Sequence, residues 1–297
     1  MNILVTGANG FLGQHLTKHL TNLQYTTIAA GRGLRRIPSK IPVTYHSIEL
    51  TDEAAVNGII NSTQPNIIIH TAANSKPDDC EKDKEGCLQN NVEATRYLLQ
   101  AFKQLNPSNA LFIYLSTDFI FGENGPHNEN DITGPLNFYG ESKLMAEQLV
   151  TNGGVPYAIV RPVFIYGEVW DGLRPSFLHW VRNNLQQNKP IKVVSDQLRT
   201  PTFVDDICNG IAAIIAQHKT GVFHLAGKDI LSPYDMAVTT AEVLGFDTPL
   251  IENVTSETFP EPVRRAKRSG LNIARAQAEL GYEPVSFTEG VKRTFGG

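Results

Sequence analysis

Short, unbroken apolar runs alternate with longer amphipathic stretches through the first half of the chain. Residues 3–5, 26–30, 43–46, 67–70, 111–115 and 157–160 are β-branched or aliphatic runs bounded by Gly, Pro, Asn or other polar residues, the pattern of short strands. Between them, residues 12–23, 53–60, 87–105 and 139–151 read as helices. Strands that are apolar throughout are buried on both faces, and their alternation with helices builds a parallel sheet covered on each side. The pattern predicts an α/β fold, a doubly wound parallel sheet of Rossmann type.

After Arg161-Pro162 the rhythm changes. Helices are expected at 177–187, 203–217, 233–244, 273–280 and 287–293, with strands at 191–194 and 222–225, the last rejoining the main sheet. No Gly/Ser linker, repeat or low-complexity segment separates the halves. The reading is a dinucleotide-binding domain of residues 1–162 plus 201–228, interleaved with a smaller mixed α/β substrate-binding domain of residues 163–200 plus 229–297.

Composition narrows the function classes. At 297 residues and 41% hydrophobic, the chain has room for a sizeable core. Its 26 Lys and Arg against 30 Asp and Glu leave a net charge of −4, which weighs against a nucleic-acid partner. Cys80, Cys87 and Cys208 are odd in number and lack zinc-type spacing, so neither a disulfide framework nor a metal site is expected. The first residues lack a basic leader region, and no window approaches 18 continuous apolar residues. A soluble, cytoplasmic protein with no membrane partner, monomer or homodimer, is expected.

Gly7-Ala8-Asn9-Gly10-Phe11-Leu12-Gly13 follows the first strand and opens the first helix. Glycines here allow a tight turn, approach of backbone to a pyrophosphate, and close helix–strand packing, while the helix N-terminus offers N–H groups to phosphate. A carboxylate for the ribose 2′-hydroxyl is missing after the second strand, where Arg32, Arg35 and Arg36 stand instead. Guanidinium forks suit a 2′-phosphate, which favours NADP(H) over NAD(H), with at least one of these arginines an ordinary loop charge. Glu49-Leu50 lies where an acidic group meets the adenine amino group, and Thr71-Ala72-Ala73 offers small residues where the cofactor passes close to backbone.

Tyr139-Gly140-Glu141-Ser142-Lys143 places a phenol and an ammonium on one helical face, aimed at one cleft. The cation is expected to lower the Tyr139 hydroxyl from its ordinary value near 10, tuning it as a general acid/base, and Lys143 to hold the nicotinamide ribose. A hydroxyl follows the preceding strand in Ser116-Thr117-Asp118.

With these motifs the chain resembles the extended short-chain dehydrogenase/reductases. Within them, residues 116–122 (STDFIFG), 135–143 (PLNFYGESK) and 200–206 (TPTFVDD) are similar to dTDP-4-dehydrorhamnose reductase over essentially the whole chain. The resemblance implies Thr117 as the hydroxyl that orients a carbonyl, Tyr139 as the acid and Lys143 as its partner. It implies Asp118 beside the sugar, with Phe119 next to it, and Asn91 near the active site on the cofactor side. A nucleotide-sugar substrate follows. Phe11 replaces a Gln frequent in these reductases and is closer to NAD-dependent sugar epimerases. The C-terminal Arg-Pro-x-x-Ser-x-Leu-Asp pattern survives only loosely at 265–272 (RAKRSGLN). Residues 163–169 (VFIYGEV) resemble the regulatory partner of methionine adenosyltransferase, which shares the fold and implies a non-catalytic, NADP-binding alternative.

Other features have plainer readings. His15 and His19 lie four apart with no third ligand and are expected to face solvent. Arg264, Arg265, Lys267 and Arg268 read as a solvated face, with contact to a diphosphate as the alternative. Trp170 and Trp180 fall in the expected substrate domain; core packing is the plain reading, and Trp170 is also a candidate for stacking on a nucleotide base.

Overall fold

A computed structural model describes residues 1–170, 172–259 and 262–296, so the expected domain ranges extend over four residues outside the described ones. The strands are β1 (Asn2–Thr6), β2 (Thr26–Gly31), β3 (Thr44–Ser47), β4 (Ile67–His70), β5 (Leu111–Leu115), β6 (Tyr157–Arg161), β7 (Ile165–Tyr166), β8 (Ile191–Val194), β9 (Thr202–Phe203), β10 (Gly221–His224) and β11 (Ile251–Val254). A seven-stranded sheet has the order β3-β2-β1-β4-β5-β6-β10, with every pairing parallel. This is the doubly wound arrangement, and its order reverses between β1 and β4, where a crevice opens at the carboxyl ends of the strands.

The helices are α1 (Phe11–Asn22), α2 (Glu53–Thr63), α3 (Pro77–Lys82), α4 (Lys84–Leu88), α5 (Ala94–Leu105), α6 (Phe138–Asn152), α7 (Phe177–Leu185), α8 (Val204–Ala216), α9 (Pro233–Leu244), α10 (Ala274–Leu280) and α11 (Phe287–Phe295). Successive strand residues point to opposite faces, so one run of apolar residues feeds two cores. Ile3, Val5, Ile67, Ile69, Leu111 and Ile113 pack with Leu12 and Leu16 of α1 and Ile207 and Ile211 of α8. Leu4, Ile68, Phe112 and Tyr114 pack with Val56 of α2, Leu98 of α5 and Ala146 of α6. Each such aliphatic side chain contributes about 1.5–3 kcal/mol on burial.

Smaller clusters join the remaining elements. Val181 and Leu185 of α7 meet Ala237 and Ala241 of α9 over the parallel pair β8–β11. Tyr166, Phe203 and Met236 meet Phe287 and Val291 of α11. The expected strand at 222–225 does rejoin the sheet, as β10. Helix α10 then returns to the large sheet's layer, placing Ala276 and Leu280 in the core beside β10 and α8.

Three local differences from the hydrophobic pattern have physical causes. The helix expected at 87–105 is α4, a π-helical turn at Gln89–Glu93, and then α5. The wide turn carries Asn91 inward onto Asn74, a polar contact that apolar periodicity does not register. The pairs β7–β9 and β8–β11 include two-residue strands and Glu-Asn in β11, too short or too polar to read as apolar runs. His15 is buried rather than solvent-facing: its ring stacks on Trp170 at 4.2 Å, with Nε2 2.9 Å from the Glu168 carbonyl and Nδ1 3.5 Å from Asp205.

One buried ion pair ties α6 to the sheet. Arg161 at the end of β6 donates to Glu147 through Nε at 3.0 Å and Nη2 at 2.7 Å, and both side chains are buried. Removing one partner strands the other charge away from water. Arg161→Met is therefore expected to destabilise the protein by about 3–5 kcal/mol in urea unfolding monitored by circular dichroism.

Candidate active site

The crevice at the β1–β4 switch point is a cavity of about 550 Å³. Its floor is the first turn. Gly7 has φ +73°, and a Cβ there would stand 2.5 Å from the Ala72 nitrogen. A Cβ on Gly13 would collide with the Gly7 carbonyl oxygen. Glycine at both places lets α1 begin against β1 and β4, and Gly10 starts α1 with no side chain capping its N-terminal N–H groups.

Most of the residues expected to hold a cofactor converge here. Gly7, Asn9, Gly10, Phe11, Leu12 and Gly13 line it together with Arg32, Glu49 and Leu50, and Thr71, Ala72 and Ala73 line it beside Gly7. Asn9 has a structural duty as well: its side-chain amide donates to the Arg32 and Leu34 carbonyls and accepts from the Arg36 N–H, pinning the loop after β2.

Arg35 corrects the expectation of a phosphate ligand. Its guanidinium donates to the carbonyls of Ile37, Pro38, Ile41 and Val43 at 2.6–3.1 Å, so it braces the following loop and does not line the cavity. Arg36 lines it instead, beside Arg32. Asn91 also departs from its expected place. It lies under the wall, accepting from the Asn74 N–H at 2.7 Å and donating to the Asn74 carbonyl at 3.1 Å and to Ser142 Oγ at 2.9 Å. Trp170 packs on the outside of α1, stacked on His15 with Lys18 over its ring, and is not among the residues lining the cleft.

Tyr139 and Lys143 reach the cleft from α6, whose first turn is capped by Asn137. Both are buried, and Lys143 Nζ donates to the Leu115 carbonyl at 2.6 Å while sitting 4.1 Å from the centre of the Tyr114 ring. Burial reverses the expected tuning of the pair. It pushes the Tyr139 hydroxyl up, with the hydrogen bond to Thr117 opposing, and pulls Lys143 down to about 7, with Glu147 opposing. Burial outweighs the Thr117 hydrogen bond, so Tyr139 stands as a neutral proton donor.

Thr117 is extended and buried, with its Oγ within 3.2 Å of the Asp118 carboxylate. Asp118 and Phe119 border a second, small cavity of about 20 Å³ shared with Arg199, Arg265 and Ser269. Burial raises the Asp118 carboxyl while the Arg199 charge opposes it. The basic cluster is largely the solvated face expected, with Arg264, Lys267 and Arg268 exposed, while Arg265 is half-buried. Within it Arg265 pairs with Asp78 at 3.1 Å, Lys267 with Asp196 at 3.1 Å, and Arg268 donates to the Gly125 carbonyl.

Two residues named in the sequence were left without a settled place. Arg36 was one of three arginines between residues 32 and 36, and only the tertiary path of the loop decides which ones face the cleft. Ser116 lines the cavity, and its buried hydroxyl has no hydrogen-bond partner among the described residues. Among the described residues there is no group of three or more His, Cys, Asp or Glu able to hold a metal ion, and no helix long and apolar enough to cross a membrane.

Comparison with known proteins places this geometry. The model of the RmlD substrate binding domain family matches residues 1–296. The chain belongs to that family. Among RmlD-family relatives and neighbours, the dTDP-4-dehydrorhamnose reductase of Aggregatibacter actinomycetemcomitans is 27% identical, over 98% of this chain and 97% of its own. Methionine adenosyltransferase 2 subunit beta of Bos taurus is 33% identical, over 98% of this chain and 86% of its own. A crystal structure of dTDP-4-dehydrorhamnose reductase from Bacillus anthracis in complex with NADP superposes with a TM-score of 0.86 at 25% identity, covering 99% of this chain and 98% of that one.

Lys143 makes stability depend on pH with a definite sign. Its folded value of about 7 lies below the ordinary 10.5, so the unfolded chain binds more protons between the two. Its burial cost is full below pH 7 and relieved as pH rises toward 10.5. In paired urea titrations, wild type should gain stability relative to Lys143→Met across that window, by a slope of at most about 1.4 kcal/mol per pH unit.

Proposed function

We propose that this RmlD-family protein is an NADP(H)-dependent reductase of the C4 keto group of a nucleotide-linked 4-keto-6-deoxy sugar, of the dTDP-4-dehydrorhamnose type. The observation that carries the reading is the meeting of a buried Tyr139, Lys143 and Thr117 at the end of one dinucleotide-shaped cleft.

The cavity fits a dinucleotide in its chemistry. Uncapped N–H groups at Gly10 suit the pyrophosphate, Arg32 and Arg36 a 2′-phosphate, Glu49 the adenine amino group, and the orphan Ser116 hydroxyl a polar ligand atom. When bound, the cofactor supplies hydride to the carbonyl carbon. The protein's own part is to orient and protonate. Thr117 and Tyr139 hold the carbonyl oxygen between two hydroxyls, and Tyr139 passes its Oη proton to that oxygen as it becomes an alkoxide. A phenol held neutral by burial suits this direction, because the proton stays on Tyr139 until a stronger base forms. Lys143, fixed on the Leu115 carbonyl, holds the nicotinamide ribose and steadies the phenolate left behind. Asp118 and Arg199 border the sugar. Two guanidiniums at the 2′ end favour NADP(H) over NAD(H), and with it reduction over an NAD-dependent epimerisation.

A second reading has its own support. Identity to methionine adenosyltransferase 2 subunit beta, at 33%, exceeds the 27% to the reductase, and the cavity beside Asp118 is only about 20 Å³. In that reading the chain binds NADP and regulates a partner enzyme.

Incubation with NADPH and dTDP-4-dehydrorhamnose separates the two. Turnover, read as loss of NADPH absorbance, is expected, and Tyr139→Phe should lower kcat by about 10²–10⁴-fold while sparing NADPH binding. Saturated cofactor with no turnover, together with altered kinetics of a methionine adenosyltransferase on mixing, would favour regulation. Arg36→Ala should raise the Kd for NADPH by roughly ten- to a hundredfold and leave NADH nearly unchanged in fluorescence titrations, since one charge-assisted hydrogen bond is worth about 1.5–3 kcal/mol.

A further inference from the structure

Arg32, Arg36 and Glu49 all line the dinucleotide-shaped cavity, and the sheet decides which of them meet. In the β2–β3 pair Gly31 stands opposite Ser47, and the Ile48 N–H donates to the Gly31 carbonyl at 3.0 Å. Arg32 directly follows Gly31 and Glu49 directly follows Ile48, so the two leave the sheet side by side. The main chain around Arg32 is fixed. Asn9 Nδ2 donates to the Arg32 carbonyl at 2.9 Å, and the Tyr45 hydroxyl reaches the Gly31 and Gly33 carbonyls at 2.9 and 2.8 Å. The Arg32 side chain is held loosely: Nη1 lies 3.8 Å from Glu49 Oε2, and the two side chains are 67% and 47% exposed. Arg36 stands outside this pair. The carboxylate missing after β2 is thus supplied after β3, already engaged with one of the two guanidiniums that line the cavity.

We propose that Glu49 is a specificity-determining residue, competing with the cofactor's 2′-phosphate for Arg32 and so narrowing the preference for NADPH over NADH. This role rests on the cofactor reading above. NADH presents a hydroxyl at the 2′ position, so Arg32 stays on Glu49 and no pair is broken. NADPH presents a phosphate whose oxygens match the guanidinium fork, and an ion pair as exposed as this one gives way to it readily. Arg32 then turns from the carboxylate to the phosphate, and Glu49 is left without its partner beside a group of its own sign. Arg36 leaves no such pair behind, so discrimination falls unequally on the two arginines, and the share of Arg32 depends on residue 49. Solvent and salt keep the effect of an exposed pair small, so the site still favours NADPH. The adenine amino group needs only a hydrogen-bond acceptor from the same residue, and a Gln carbonyl provides one without the charge.

Fluorescence titrations of the full chain with NADPH and with NADH, in wild type and in Glu49→Gln, test this role. In Glu49→Gln the Kd for NADPH should fall about two- to fivefold, the range that one exposed ion pair allows, while the Kd for NADH stays unchanged. Raising the salt to about 0.5 M should shrink the difference between the two proteins, since exposed charges are screened. The arginines supply a second readout. Arg32→Ala should raise the Kd for NADPH more in the Glu49→Gln background than in wild type, whereas Arg36→Ala should have the same effect in both. A Glu49 that only shapes the cavity or only meets the adenine would shift both dinucleotides together. Equal shifts for NADPH and NADH, an unchanged ratio of their Kd values, or an Arg32 effect independent of residue 49 overturns the proposal. Wild type that binds neither dinucleotide sinks the cofactor reading and this role with it; wild type that binds NADPH, with no change of ratio in Glu49→Gln, sinks this role alone.

Discussion

At Gly7 and Gly13 the main chain has no space for a side chain, because a Cβ would press on the Ala72 nitrogen or on the Gly7 carbonyl oxygen. That backbone-on-backbone contact seats α1 against β1 and β4 at the point where strand order reverses. The helix N-terminus, the Thr71–Ala73 wall and the loop pinned by Asn9 then line a single cavity together. Without the contact, the partial positive charge of α1 would be displaced from the place where the other walls converge.

The far end of the cleft is built on buried charge. Lys143 sits in a nearly dry position, held by one carbonyl and the face of Tyr114, with Glu147 one helical turn beyond. Glu147 is itself paired with Arg161, so the row from Lys143 to the end of β6 alternates in sign. Such a row is costly to bury and does not explain the protein's stability; its tight geometry instead holds α6 in one register on the sheet. A phenol kept neutral and an ammonium kept near its titration point follow from the same dryness.

Family membership leaves two roles open, and they divide at the sugar side. The nucleotide half of the cleft is open at about 550 Å³, whereas the space beside Asp118 is about 20 Å³, bordered by Arg265 in its pairing with Asp78. A reductase of the proposed type would need more room beside Asp118 than this cavity offers. A binding module has no such need.

Much of this was legible in the chain itself. The strands at 67–70 and 111–115 and the helix Pro233–Leu244 lie where the hydrophobic pattern puts them, because continuous apolar runs in a parallel sheet have no other stable location. The glycine spacing and Tyr139-x-x-x-Lys143 located the two ends of the cleft, since each motif acts through near neighbours in sequence. Direction across the fold was not legible. Arg32, Arg35 and Arg36 are equivalent as letters, and Arg35 turned out to be held by four carbonyls of a loop. His15 read as solvent-facing until Trp170 was seen stacked on it, and Tyr139 read as lowered by its lysine until burial of both was known. Sequence by itself determined the elements, their order and the motif chemistry, because backbone geometry and periodicity are local. Which charges meet, which side chains dry out and which way each is tuned were decided by tertiary structure alone, because desolvation and long-range hydrogen bonds depend on residues far apart in the chain.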